Sequence, residues 1–325
     1  SNQVANEDKK LTARMILNDK VYKKITEVCQ NGDNLANCII NFYNANETIA
    51  SNIYHHDETL ENGINDGSYR YAGPSNAVNN FVCFGSNVSP CPEDNLYRII
   101  GVIDGKVKLI KYDYANSNLL GTNGDYQGTG TPDSTYKGSQ SSIYRYFWNY
   151  KAASSESNVW STSLLNKTNL NTNFINKMGS TWANKIATTT WKVGGGTIAN
   201  ISQSVPATAY QYEVGSSAST TTHDAKIGLM YASDYGFAAD PSAWTTKLNS
   251  YSSNTSKNWL YLGSNDWTIS RYSDNSTYAF VVSNAGYVSG NRAYNDRGVR
   301  PSFNLESTIT YSSGIGTKSN PIIIN

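Results

Sequence analysis

Residues 257–305 read KNWLYLGSNDWTISRYSDNSTYAFVVSNAGYVSGNRAYNDRGVRPSFNL. Two textures interleave in this stretch. Trp259, Tyr261, Leu262, Trp267, Ile269, Phe280, Val282, Val288, Val299, Phe303 and Leu305 recur at the spacings short strands need when one face packs on a core. Between them lies a dense scatter of Tyr, Ser, Asn, Asp, Arg, Ala and Gly that neither core packing nor turn chemistry asks for. The expectation is a recognition surface carried on a rigid sheet, with Trp259 and Trp267 in the core. Arg300 is expected to pair structurally near the closing strand.

The rest of the chain fits a β-rich scaffold. Of 325 residues only 16% are charged, while 24 are Tyr and 25 are Gly. That is a polar-aromatic, strand-and-turn composition. A net charge of +1 gives no reason to expect nucleic acid or an anionic membrane as partner. No apolar run reaches the length of a membrane-spanning helix. Ser1-Asn2 reads as the remnant of a cleaved expression tag, so an export or anchoring segment is expected to precede the natural chain.

All four cysteines lie in the first third. Their closeness in sequence makes two local disulfides, Cys29–Cys38 and Cys83–Cys91, the economical pairing in an exported protein, although three connectivities are open. Residues 7–29 carry Leu11, Met15, Tyr22, Ile25 and Cys29 at helical spacing, with Gly32 as the stop. A weaker helical pattern covers Leu35 to Ile53, and Gly63 to Pro74 reads as loop. Residues 1–80 are therefore expected to be a small helical region or stalk, and residues 81–325 the main domain.

That domain opens with two strands, LYRIIGVI and KVKLI, joined by Asp104-Gly105, a pair suited to the positive φ of a two-residue hairpin. Residues 121–142 are expected to be a long surface loop, followed by the segment YRYFWNY. Ser161 or Thr162 caps a short helix with Leu164 and Leu165, and Gly179 ends a second one holding Phe174, Ile175 and Met178. A polar loop is expected from Ser202 to Asp224, then a strand leading into a turn through AKIGLMYASDYGF. Pro241 marks a helix start, and SNPIII an edge strand. Two or three helices among many short mixed or antiparallel strands make the fold class α+β.

Four segments together, NLYRIIGVIDGKVKLIK, NVWSTSLLNKTNLNTNF, KIGLMYASDYGFA and WTISR with GVRPSFNL, resemble bacterial extracellular domains of the C-type-lectin-like fold related to the formylglycine-generating enzyme. The resemblance covers about residues 81–325. The scatter inside Tyr272–Arg297 is similar to the variable region of proteins diversified by a retroelement, in which adenine substitution turns Asn codons into Tyr, Ser, Asp, Gly, Ala, Thr or Arg. The resemblance implies a cell-surface or pilus-displayed adhesin. Its variable, ligand-binding face would comprise Ser264, Asn265, Tyr272, Ser273, Asp274, Ser276, Thr277, Tyr278, Ser283, Ala285, Tyr287, Ser289, Asn291, Arg292, Tyr294, Asn295, Asp296 and Arg297. The partner would be a protein or a glycan.

An enzyme is not expected. The formylglycine-generating family oxidises cysteine with a C-terminal cysteine pair, and nothing after Cys91 is a cysteine here. His223-Asp224 beside serines lacks the nucleophile elbow that a hydrolase needs. His55-His56-Asp57-Glu58 is a single cluster of adjacent ligand types. Gly194-Gly195-Gly196 lacks the Gly-Lys-Ser/Thr ending of a phosphate loop. The Pro-centred motifs of calcium-dependent lectins are missing, and Asn265-Asp266-Trp267 reverses their Trp-Asn-Asp. No cofactor is expected, though Asp234, Asp266 and Asp274 are candidates for a structural calcium ion.

Overall fold

A computed structural model describes residues 21–129, 144–154 and 158–325. Its architecture is α+β. The main sheet has six strands: β1 (Ile53–His55), β2 (Tyr69–Tyr71), β3 (Phe81–Cys83), β4 (Leu96–Ile103), β5 (Lys106–Lys111) and β14 (Ser302–Asn304). They run in the order β1-β2-β4-β5-β14, with β3 also pairing β4, and every pairing is antiparallel. Strand β4 is buried along nearly its whole length, which is why LYRIIGVI shows no apolar–polar alternation, with Arg98 its one charged residue. Asp104 and Gly105 take φ of 50° and 72°, so the β4–β5 hairpin closes as its turn chemistry dictates.

This sheet crosses the boundary expected at residue 80. Strands β1 and β2 precede that position, and Tyr69 and Arg70 pair with Val102 and Gly101. A side chain at Gly101 would meet the Tyr69–Arg70 backbone, so glycine there lets β2 approach. The segment read as loop from Gly63 to Pro74 thus contains a strand. Helix α2 (Leu35–Ser51) lays Leu35, Cys38 and Ile39 into the same core as the sheet. The helix expected over 7–29 falls largely outside the described residues. Its described part is one turn, α1 (Ile25–Val28), which ends before Cys29 and not at Gly32. Both expected disulfides are formed, Cys29–Cys38 and Cys83–Cys91, the chemistry of an oxidising compartment. No helix among the described residues is long and apolar enough to cross a membrane.

Two three-stranded sheets pack beside the main one. The first joins β10 (Asp266–Arg271), β11 (Tyr278–Val282) and β12 (Val288–Arg292), and the second joins β6 (Tyr126–Thr129), β7 (Tyr144–Phe147) and β13 (Asp296–Arg297). Strand β6 lies inside the expected 121–142 loop, whose residues from 130 onward fall outside the described set. Two ribbons complete the strands: β8 (Thr189–Lys192) with β9 (Thr222–Ala225), and β15 (Tyr311–Ser313) with β16 (Ile323–Ile324) at the expected C-terminal edge. Three buried indoles tie the layers together. The Nε1–H of Trp259, Trp267 and Trp148 donates to the carbonyls of Tyr71, Tyr146 and Thr268 at 2.8–2.9 Å. A buried indole N–H needs such a partner, so each tryptophan is both core filler and cross-link.

Helices replace loop in several places. One turn, α3 (Ser117–Leu120), is capped by the Asn116 side chain. A π-helical run, Leu165–Phe174, continues into α4 (Ile175–Met178) as one element where two short helices were expected. Gly179, at φ 79°, ends it as foreseen and leads into α5 (Ser180–Ala183). Ser163, and not Ser161 or Thr162, offers its hydroxyl to the run's early N–H of Asn166. The polar segment 202–224 holds α6 (Pro206–Glu213), with proline at its first position. Pro241–Ala243 is a short 3-10 turn capped by Asp240.

The turn expected in ASDYGF is helix α7 (Ala232–Phe237), fully buried. Its first N–H groups are satisfied by acids: the Asp234 carboxylate accepts from Tyr231 N–H, and Glu213 accepts from Ala232 and Ser233 N–H at 2.8 and 2.9 Å. Arg300, expected to be structural, is buried with Nε 3.0 Å from Asp266 Oδ2.

Candidate functional site

The β10–β11–β12 sheet carries the expected recognition residues, but it distributes them. In its register Tyr278 faces Arg292, Phe280 faces Gly290 and Val282 faces Val288. The 272–277 loop, Tyr278, Arg292, Tyr294 and Asn295 gather at one end of β11. Ser264, Asn265, Ser283, Ala285 and Tyr287 gather at the other, across a strand about 13 Å long at 3.3 Å per residue. Fourteen of the eighteen residues therefore fall into two separate clusters instead of one face. Asp296 and Arg297 leave this sheet altogether and pair with Phe147 and Tyr146.

Three of the eighteen are buried and unavailable for contact. Tyr272, 9% exposed, stacks on Phe280 with ring centroids 4.4 Å apart and covers Gly290. The burial pushes its phenol up to about 12. Ser264 lies under Tyr114, whose hydroxyl donates to the Ser264 carbonyl. Ser283 Oγ accepts from the N–H groups of Ala285 and Tyr287, so it builds the turn it sits in. For Tyr272 and Ser283 a type read as free recognition chemistry is absorbed by local structure, and Ser264 is buried. Ser273, Asp274, Ser276, Ala285, Tyr287 and Arg292 are exposed. Asn265, Thr277, Tyr278, Ser289, Asn291, Tyr294, Asn295, Asp296 and Arg297 are half-buried.

The larger cluster is held from beneath by Asn158, a residue without sequence signal. It is fully buried, and its amide Nδ2 donates to the carbonyls of Tyr272, Asn275 and Tyr278, while its own N–H donates to Ser276 O at 2.7 Å. Arg271 in turn donates to Asn158 Oδ1 at 3.1 Å and to Gly194 O at 3.2 Å. The Gly194–Gly196 segment runs along β10, exchanging bonds with Arg271 O and Ser273 N. Gly195 has φ of +64°, and a Cβ there would collide with the Arg271 backbone. The triple glycine supports the loop.

On this frame the exposed chemistry is aromatic and cationic. The Arg292 guanidinium lies 5.7 Å from the Tyr294 ring. Asn149 N–H donates to Ala293 O at 2.9 Å, which brings in Phe147 and the 57%-exposed Tyr150, whose rings stack 4.8 Å apart. Sequence reasoning gave neither a place in the site. Only the pairing of β7 with β13 moves them to this end. Asn291 Oδ1 accepts from Asn295 Nδ2 at 2.5 Å and Arg297 Nη2 at 3.3 Å, ordering the neighbouring turn.

The alternative chemistries do not assemble. His223 and Asp224 are neighbours on β9, so their side chains point to opposite faces. Asp224 accepts from Thr190 while His223 Nε2 meets Asn166 Nδ2 at 2.8 Å. His56 is buried against Phe237 and Trp244, whereas His55 stacks on Tyr69. The three aspartates considered for calcium do not converge. Asp234 is paired with Arg70 and Lys108, Asp266 with Arg300, and Asp274 stands exposed past the far end of β10. No group of three metal-ligating side chains occurs among the described residues. No family model, curated protein or solved structure matches this chain.

Proposed function

We propose that the protein is an extracellular binding module, displayed on a bacterial surface through a preceding segment. It would recognise a protein or glycan through the cluster of Tyr278, Arg292, Tyr294, Asn295 and the 272–277 loop, with Tyr150 beside them. The observation that carries this reading is the Asn158 clamp. It binds the loop by backbone carbonyls alone, so the exposed side chains of Ser273, Asp274 and Ser276 bear no part of the fold and are free to serve a partner. Tyrosine supplies rigid amphipathic contact area, Ser and Asn adaptable hydrogen bonds, and arginine a hot-spot anchor. Diversification by a retroelement is part of the proposal, since these positions tolerate exchange without cost to the backbone.

Binding to arrayed glycans and surface proteins tests the reading. Arg292→Ala with Tyr294→Ala should abolish a wild-type signal while leaving the unfolding midpoint in place; retained binding in that variant would sink it. DNA beside the gene tests diversification. A near-copy of the codons for residues 264–297, differing only at adenines and next to a reverse-transcriptase frame, is expected, and its absence would leave an ordinary adhesin.

A further inference from the structure

Away from the recognition cluster, a cleft of about 570 Å³ opens between the β4–β5 hairpin, the β8 strand and α6. That volume is in the range of small-molecule sites. Its floor is a buried polar cluster. Asp234 accepts from Lys108 Nζ at 2.6 Å and from Arg70 Nη1 at 3.0 Å, and Asp66 takes Arg70 Nη2 at 3.3 Å. Lys108 is 4% exposed and Arg70 3%. The Lys108 ammonium also lies 4.8 Å from the Tyr231 ring and 5.5 Å from Trp191.

The lining is richer in positive than in negative charge. Arg70, Lys106, Lys108 and Lys192 face it, against the carboxylates of Asp104 and Asp234. Lys192 Nζ donates to the Val214 carbonyl at 2.8 Å, a neutral acceptor. An ammonium has three donors, so Lys192 keeps N–H directions for another acceptor, while Lys108, held by Asp234 and flanked by two rings, adds positive charge from the floor. The opposite wall carries the hydroxyl-bearing run Thr188–Thr190, and Tyr210 closes one side. Enclosed cations beside hydroxyls and ring faces suit a ligand with one anionic group on a polar ring.

We infer that this cleft binds a small carboxylate-bearing saccharide of the uronic-acid class, its carboxylate against Lys192 and its ring along Thr188–Thr190 and Tyr210. A charge-assisted hydrogen bond to an ammonium in a sheltered cleft is among the stronger polar contacts. The site is independent of the recognition cluster and shares no residue with it.

Titration calorimetry of the full chain with D-glucuronate, glucose and inorganic phosphate tests the assignment. Saturable glucuronate binding is expected, with glucose weaker by about tenfold or more, the loss of one charge-assisted contact. Lys192→Met, which leaves the floor ion pairs in place, should weaken glucuronate by a similar factor and keep the unfolding midpoint. Absence of saturable glucuronate binding, or equal affinity in Lys192→Met, overturns the inference. Phosphate binding as tightly as glucuronate overturns the saccharide assignment. Arg292→Ala with Tyr294→Ala should bind glucuronate normally; loss there would move the acid to the recognition cluster and empty the proposal for the cleft.

Discussion

The Lys108 ammonium lies 2.6 Å from the Asp234 carboxylate, across 126 residues of sequence, and the two join a central strand to the buried helix α7. Asp234 also holds Arg70, so one carboxylate neutralises two buried cations. These cations keep its acid below the usual carboxylate range despite burial. Removing the shared partner strands Lys108 and leaves Arg70 with Asp66. Asp234→Asn should destabilise by roughly 3–5 kcal/mol in urea unfolding. Lys108→Met removes a charge without stranding Arg70, because Asp234 and Asp66 remain, and should cost clearly less. An equal cost for the two would contradict the shared-carboxylate account.

Asn158 offers a second test. Replacing it with the similarly sized Leu takes the amide donor from the carbonyls of Tyr272, Asn275 and Tyr278; Tyr278 O keeps the Tyr272 N–H and Asn275 is exposed, so the Tyr272 carbonyl is the one stranded. At roughly 1–3 kcal/mol for one stranded buried polar group, the loss should lie in that range. Amide hydrogen exchange should accelerate across 272–278 first. Protection that persists there would show the loop to be held by something else.

Gly290 and Tyr272 form a coupled pair. A Cβ on Gly290 would collide with the hydroxyl and ring of Tyr272, which also packs against Phe280. Gly290→Ala should therefore cost about 1–3 kcal/mol by overpacking. In the Tyr272→Ala background the same change should be nearly free, giving a double-mutant coupling of comparable size. Additive costs would mean that the ring is free to swing away.

Two buried groups set the pH response, with opposite signs. Burial, then the nearby Arg70 charge, pushes His56 down to about 3 from 6.5. Between those values the unfolded chain binds a proton that the folded chain refuses, so stability falls on acidification, by roughly 1.4 kcal/mol per pH unit for one full proton. Burial raises Asp266 from 3.8 to about 7 against the pull of Arg300. Here the folded chain holds the extra proton, so its contribution is full at low pH and lost as pH rises through 7. Between pH 4 and 6.5 the two slopes oppose each other, so His56→Phe should tilt the profile toward lower stability at higher pH, and Asp266→Asn toward higher stability at higher pH. Unchanged slopes in both variants would refute these assignments.

How much of this was legible follows the range of the interactions. The β4–β5 hairpin, the core placement of Trp259 and Trp267, the end of the helix at Gly179 and both disulfides rest on local rules: turn φ values, apolar runs and close cysteine spacing. Strand β2 was not legible, because Arg70 looks polar until Asp66 and Asp234 close around it. Helix α7 was not either, since its start depends on Glu213, nineteen residues away. Tyr272 reads as a free aromatic in sequence. It becomes core only because β12 presents a glycine opposite Phe280.

By itself, then, the sequence determined an α+β class, the strands around residues 96–111 and 266–304, and two interleaved sets of positions, apolar and polar, in the C-terminal stretch. Tertiary structure alone decided which polar positions stand together. Strand pairing separates residues 264–265 and 283–287 from 272–278 and 292–295 by the length of β11, and brings Tyr150 and Asn158 to the second group. The reason is physical. Alternation along a chain encodes which way a side chain points, whereas its neighbours are set by register and by long-range hydrogen bonds that no local pattern carries.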